Sequence, residues 1–202
     1  MATYKAVVLT TLLYCSETWT LYCRQIKQLE QFHQRCLRKI LKIRWQDRVT
    51  NLAVLERCGL PSIESMILYS QLRWTGHVIC MQDNRIPKIL LYGQLREGHR
   101  ETGRPYKRFK DSLKCNLKSC GINLSSWEVL AQDRNSWRQE IIHARKRFEE
   151  RRALSLTEKR NRRIQRAEQP PSGAAFFCAQ CRRSCGSRVG LYSHMRTHNM
   201  NN

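Results

Sequence analysis

Four residues near the end of the chain have the types and spacing of a metal-ligand set. Cys178 and Cys181 are separated by two residues, twelve residues follow, and three separate His194 from His198. A tight hairpin brings two thiolates of a C-x2-C pair together. Histidines four apart on a helix share one face and converge on the same ion. Two thiolates and two imidazoles in tetrahedral array are a ligand set for Zn2+, so Cys178, Cys181, His194 and His198 are the expected metal ligands and zinc the expected cofactor.

The spacing resembles that of a ββα zinc finger, and flanking residues extend the resemblance. Phe176 lies two before Cys178, and Leu191 three before His194, at positions where such a finger keeps its small apolar core. The third core position, four after Cys181, is Cys185 in place of an aromatic; a free cysteine packs as a small hydrophobe. Zinc would then supply most of the folding energy, on the order of 10 kcal/mol. The resemblance places base-contacting side chains at Ser187, Gly190 and Ser193. Gly190 offers no side chain, and serine hydrogen-bonds to several bases. Arg182, Arg183, Arg188 and Arg196 surround these positions with no acid between Ser172 and Asn202, a pattern suited to phosphate contact. A single finger covers only about three base pairs, which weighs against a sequence-specific regulator.

The charge balance points the same way. Lys and Arg number 37 against 16 Asp and Glu, a net charge of +21 in 202 residues, so the expected partner is an anionic polymer, DNA or RNA, held mainly through phosphates. Ten cysteines raise the possibility of a disulfide scaffold. Seven of them, however, are scattered between Cys15 and Cys120 without ligand spacing, which suits reduced thiols in an intracellular protein. The apolar run Ala6–Tyr14 is too short to span a bilayer and lacks a persuasive cleavage site, so it is expected as a buried helix or strand, with no membrane partner. A nuclear location follows from the expected partner and from basic clusters such as Lys159-Arg160-Asn161-Arg162-Arg163.

The elements ahead of the Cys/His set are mainly helical. From Arg24 to Arg44, Ile26, Leu29, Phe32, Leu37, Ile40 and Leu41 recur at helical spacing; His33, without a ligand partner in view, is structural. Gly59-Leu60-Pro61 is a turn, and Ser62 caps a second helix with a mixed apolar face of Ile63, Met66, Ile67, Ser70 and Trp74. Ser125-Ser126-Trp127-Glu128 has the form of a capping box opening a further helix, continued by a long, strongly basic helical stretch with a possible restart at Ser155. Gln169-Pro170-Pro171-Ser172-Gly173 forms a linker. Between these helices, Arg96 to Lys110 combines Gly98, Gly103 and Pro105 with Arg96, Arg100, Arg104, Lys107, Arg108 and Lys110. Such a segment can track a phosphate backbone, while Tyr106 and Phe109 either stack on unpaired bases or anchor the loop to the core. The expected architecture is a basic helical region over 1–142, a basic helix and linker over 143–173, and a small ββα finger over 174–198.

Several segments, taken in order, carry a second resemblance. They are Tyr14-Cys15-Ser16-Glu17-Thr18-Trp19, Arg38-Lys39-Ile40-Leu41, Leu72-Arg73-Trp74-Thr75-Gly76-His77-Val78, Gly103-Arg104-Pro105 with Arg108-Phe109-Lys110-Asp111, and Asp133-Arg134-Asn135-Ser136-Trp137-Arg138. Together they resemble the region after the polymerase core in LINE-type (non-LTR) retrotransposon reverse transcriptases, across nearly the whole chain to about Arg138. Cys15 stands where that pattern has glycine, and Phe109 where it has tryptophan. The resemblance implies descent from a polymerase, with a helical body like the thumb and following region. It does not imply polymerase activity. Two-metal chemistry needs clustered carboxylates, whereas the chain has four Asp, at 47, 83, 111 and 133, and no adjacent pair. The expected function is therefore a non-enzymatic, zinc-binding and nucleic-acid-binding fragment. The alternatives are a zinc-finger transcriptional regulator and a retroelement relic without function.

Overall fold

One helix, Ile63–Ile79 (α4), is common to both apolar cores of the larger part of the protein. Ile63 and Ile67 lie in a core with Tyr4, Leu9, Leu37, Val54, Leu55 and Cys58. Leu68, Leu72, Val78 and Ile79 lie in a second core with Leu113, Leu117, Trp127, Trp137 and Ile141. A helix at such a junction is buried on more than one side. Gln71, Thr75 and Gly76 are accordingly buried too, beyond the single mixed face read from the sequence.

The computed structural model describes residues 1–93, 103, 106–168 and 176–199, in two compact units, Met1–Ala153 and Leu154–Asn202. The described chain is mainly helical. In the first unit the apolar start is helical: a π-helical turn over Tyr4–Leu9 runs into the short α1 (Thr10–Leu12), burying Tyr4 and Leu9. Then come α2 (Cys23–Ile40), α3 (Asn51–Cys58), α4, α5 (Ile86–Tyr92), α6 (Phe109–Cys120), α7 (Trp127–Gln132) and, as far as Ala153, the long α8 (Arg134–Glu168). On α2 the deepest residues are His33, Gln34 and Leu37, while Phe32 and Ile40 remain exposed. His33 is a packing residue, its Nδ1 2.7 Å from the Tyr4 hydroxyl. Burial lowers its pKa and pushes the Tyr4 phenol up to about 12.

Gly59 ends α3 at φ 58°, a left-handed cap that glycine adopts without strain. Ser62 then opens α4, its Oγ accepting from the Ser65 N–H at 3.2 Å. The same hydroxyl and the Ser62 N–H donate to Glu149 of α8, at 2.6 and 2.9 Å. Glu30 of α2 accepts from the Ile63 N–H at 3.0 Å. Two carboxylates from distant segments thus accept the Ser62 and Ile63 amides at one helix start, and Arg152 pairs with Glu30 at 3.3 Å and with Glu64 at 3.5 Å. At mid-helix Gln71 donates to the Trp19 carbonyl at 2.8 Å and accepts from Asn116 at 2.6 Å, tying the Ser16–Thr18 turn and α6 to α4.

Two expectations are corrected here. The Ser125-Ser126-Trp127-Glu128 segment opens α7, but not through a capping box. Ser126 makes no side-chain cap bond; instead the Ser125 N–H and hydroxyl donate to Asn123 Oδ1 at 3.0 and 2.9 Å, an Asx turn that competes for the same residues. The basic helix does not restart at Ser155. Asp133 starts it, accepting from the Asn135 N–H at 3.0 Å, and it continues unbroken to Glu168. In the second unit, β1 (Phe176–Phe177) pairs antiparallel with β2 (Ser184–Cys185), in register Phe176 with Cys185, and α9 (Arg188–Asn199) follows. The linker at 169–173 lies outside the described residues. Among those described, no helix is long and apolar enough to cross a membrane.

Candidate metal centre

The strand pair and α9 bring the four Cys/His side chains together. The chain reverses after Cys178 through a turn closed by Arg182 N–H to Cys178 O at 2.8 Å and Cys178 N–H to Arg183 O at 3.0 Å. Arg182 takes φ 55°, the left-handed geometry this reversal demands. Ser187 caps α9, accepting from the Gly190 N–H at 3.1 Å, and the helix carries His194 and His198 on one face.

One ligand atom from each of Cys178, Cys181, His194 and His198 lies within 4.8 Å of every other. Cys181 Sγ is 3.0 Å from His194 Nε2, and the two Nε2 atoms are 3.1 Å apart. In a tetrahedral zinc site with Zn–N of about 2.0–2.1 Å, two histidine nitrogens stand about 3.4 Å apart, so the donor set fits an ion of that size with a small outward adjustment. The electrostatics suit a cation. Backbone N–H groups, that of Cys181 foremost, lower the Cys178 thiol towards thiolate. Desolvation, followed by the charges of His198 and Arg183, lowers His194 and favours the neutral imidazole a metal requires. Cys178 is buried, His194 and His198 half-buried and Cys181 exposed. A Cys2His2 cluster able to hold a metal ion is therefore present.

The cluster's packing residues are thin. Phe176 is 37% exposed against 62% for Phe177, so Phe176 is the more inward of the pair. Cys185 and Leu191 are half-buried. Such a small apolar core fits a unit whose order depends on a bound ion.

The expected phosphate contacts fall into three groups. Arg182, Arg183, Arg188 and Arg196 are all exposed, and no carboxylate pairs with them among the described residues. Arg96, Arg100 and Arg104 lie outside the described residues. Lys107, Arg108 and Lys110 are described and are already engaged. Lys107 Nζ donates to the Leu21 carbonyl at 3.3 Å, Arg108 pairs with Asp111 at 3.1 Å, and Lys110 sits 5.5 Å over the Tyr92 ring. Phe109 packs against the second core, anchoring its segment, whereas Tyr106 is 90% exposed.

A further basic cluster on α4 and α8 escaped the sequence reading. Arg73 and His77 face Arg134 and Arg138 across a cleft, although about sixty positions separate the two pairs in the chain. The available signal was the pairing of Leu72–His77 with Asp133–Arg138 as two segments of one resemblance. No protein-family model, curated protein or solved structure matches the chain, so its function is read from these residues themselves.

Proposed function

We propose that the chain is a zinc-binding, nucleic-acid-binding protein without a polymerase catalytic core, descended from the post-polymerase region of a LINE-type reverse transcriptase. The observation that carries the reading is the convergence of two cysteines and two histidines in a unit that has no acid between Ser172 and Asn202. Zinc is the ion of choice for that donor set, and the hairpin and helix around it have the order of a ββα finger. Arg182, Arg183, Arg188 and Arg196 then meet phosphates, while Ser187 spends its hydroxyl on capping α9 and has less to offer a base. The action is binding rather than turnover, in the nucleus, where the polymer partner is found.

Descent is supported by one backbone detail besides the ordered segments. Cys15, where the retroelement pattern has glycine, takes φ 57°, a conformation that glycine adopts freely and other residues only with strain. Glycine would suit this turn, as the resemblance implies, although Lys42 and Arg48 take similar angles.

The test is metal stoichiometry on the purified chain beside a Cys178→Ser, Cys181→Ser variant, each titrated with RNA and DNA at two salt concentrations. The reading expects one zinc per chain, lost in the variant, and binding that weakens steeply with salt but shows little sequence preference. Absence of zinc from the wild type would refute the metal reading. Salt-insensitive, sequence-selective binding would favour a transcriptional regulator.

A further inference from the structure

We propose that the cleft between α4 and α8 is a second binding site, for the phosphates of single-stranded nucleic acid, built wholly within the Met1–Ala153 unit. The inference rests on the nucleic-acid reading above and assigns it a site that does not involve the metal centre. Gly76 and Trp137 create the cleft. A Cβ on Gly76 would stand 2.1 Å from the Trp137 indole nitrogen, so only glycine lets the helices approach this closely. Beside that contact opens a cavity of about 460 Å³ lined by Tyr69, Arg73, His77, Arg134 and Arg138. A neighbouring hollow shares Tyr69, Arg73 and His77 and adds Trp74.

Three features mark the cleft as an anion site. Arg73, Arg134 and Arg138 are exposed, and none has a carboxylate partner among the described residues. Such unpaired charge on facing helices is self-repulsive until an anion joins it. Acids are few around it, and none lines the cleft itself. Asp133 is held by the Asn135 N–H at 3.0 Å and the Ser136 hydroxyl at 2.5 Å, and Glu17 is the one carboxylate lining the adjoining hollow. Finally, the cations repeat along α8. Arg134, Arg138 and Arg145 fall on one stripe at rises of about 6 and 10 Å, a row suited to successive phosphates rather than to one small anion.

The aromatic rim favours a single strand. Trp74 is half-buried with the His77 ring 5.6 Å away, and Arg145 covers Tyr69 at 5.1 Å. Indole and imidazole faces beside a row of arginines offer an unpaired base somewhere to stack while its phosphates meet the guanidinium groups.

The experiment compares Arg73→Gln, Arg134→Gln, Arg138→Gln in one chain with a charge-matched control, Arg24→Gln, Arg35→Gln, Lys39→Gln, on the exposed side of α2. Both are made in the full chain and checked for an unchanged melt. Each is titrated by fluorescence anisotropy with labelled single-stranded oligouridine, a duplex and inorganic polyphosphate over a salt series. The cleft variant should lose oligouridine affinity by on the order of tenfold, with a salt slope shallower by about 2, while the control loses far less. Equal losses in the two variants would overturn the cleft and leave the general nucleic-acid reading standing. Wild-type protein that fails to bind oligouridine would overturn that reading, and the cleft with it. Preference for the duplex, or cleft-dependent binding of polyphosphate alone, would overturn the single-strand assignment.

Discussion

Replacing Gly76 with alanine should destabilise the first unit despite improving the local helix. Alanine gains about 1 kcal/mol over glycine in a helix interior, so propensity alone predicts a more stable protein. Packing opposes this. The new methyl would lie 2.1 Å from Trp137 Nε1 and 2.2 Å from Cδ1, and relief to an ordinary contact near 3.6 Å moves the indole by about 1.5 Å. Trp137 is 4% exposed and surrounded by the second core, and its Nε1 donates to the Leu72 carbonyl at 3.1 Å. Overpacking costs about 1–3 kcal/mol, and a buried donor left without its acceptor about 1–3 kcal/mol more. After the propensity gain the net loss is about 3 kcal/mol, or about 6–12 °C in Tm for a unit of this size. Thermal and urea unfolding, followed by helical circular dichroism and tryptophan fluorescence, measure it. A Gly76→Ala protein melting at or above the wild type would refute the steric argument. A double-mutant cycle localises the effect, because Gly76→Ala in a Trp137→Leu background should cost less than about 1 kcal/mol.

Two further outcomes follow from the other end of α4 and from α2. Ser62→Ala removes both the bond to the Ser65 amide and the one donated to Glu149, and should cost about 1–2 kcal/mol, read as a lower urea midpoint that Ser62→Thr largely restores. His33 has its folded pKa lowered below the unfolded value of about 6.5. The unfolded state therefore binds its proton first, so stability is fully present above the unfolded pKa and falls as acidity increases towards the folded pKa. Melting temperatures across that window should decline less steeply in His33→Gln than in the wild type, and parallel curves would assign the pH dependence to other groups.

Some local patterns were legible, the Ser125–Glu128 capping box and the Ser155 restart excepted, and long-range ones were not. The Cys/His spacing from Cys178 to His198 needs only a hairpin and a helix to converge, so the four residues of the cluster could be named from the chain alone. The Gly59 turn and the Ser62 cap on the Ser65 amide likewise act through neighbours a few residues away, although the bonds from Ser62 to Glu149 do not. The burial of α4 was not legible, because Gln71, Thr75 and Gly76 break its apolar pattern. Each is buried for a reason the local sequence does not carry. Gln71 bridges Trp19 and Asn116, Thr75 returns its hydroxyl to the Gln71 carbonyl at 2.7 Å, and Gly76 admits Trp137. The engagement of Lys107, Arg108 and Lys110 escaped for the related reason that composition counts charges but not their partners. Arg73 and Arg134 form one cluster only after the helices pack, and no periodicity reports a pairing across so many residues.

The carboxylates at the start of α4 also bear on how the protein is made. Glu149 accepts from Ser62 across 87 positions of the chain, and at about 5–20 residues per second a ribosome takes roughly 4–17 s to add that length. Throughout that interval the first turn of α4 has the Ser62 hydroxyl, Glu30 and water for its free amides. Until the chain's later half emerges, the Ser62 N–H and hydroxyl lack the acceptor they use in the folded protein. A truncated product ending just before Glu149 would hold every buried residue of both cores and still lack this tie at the start of α4.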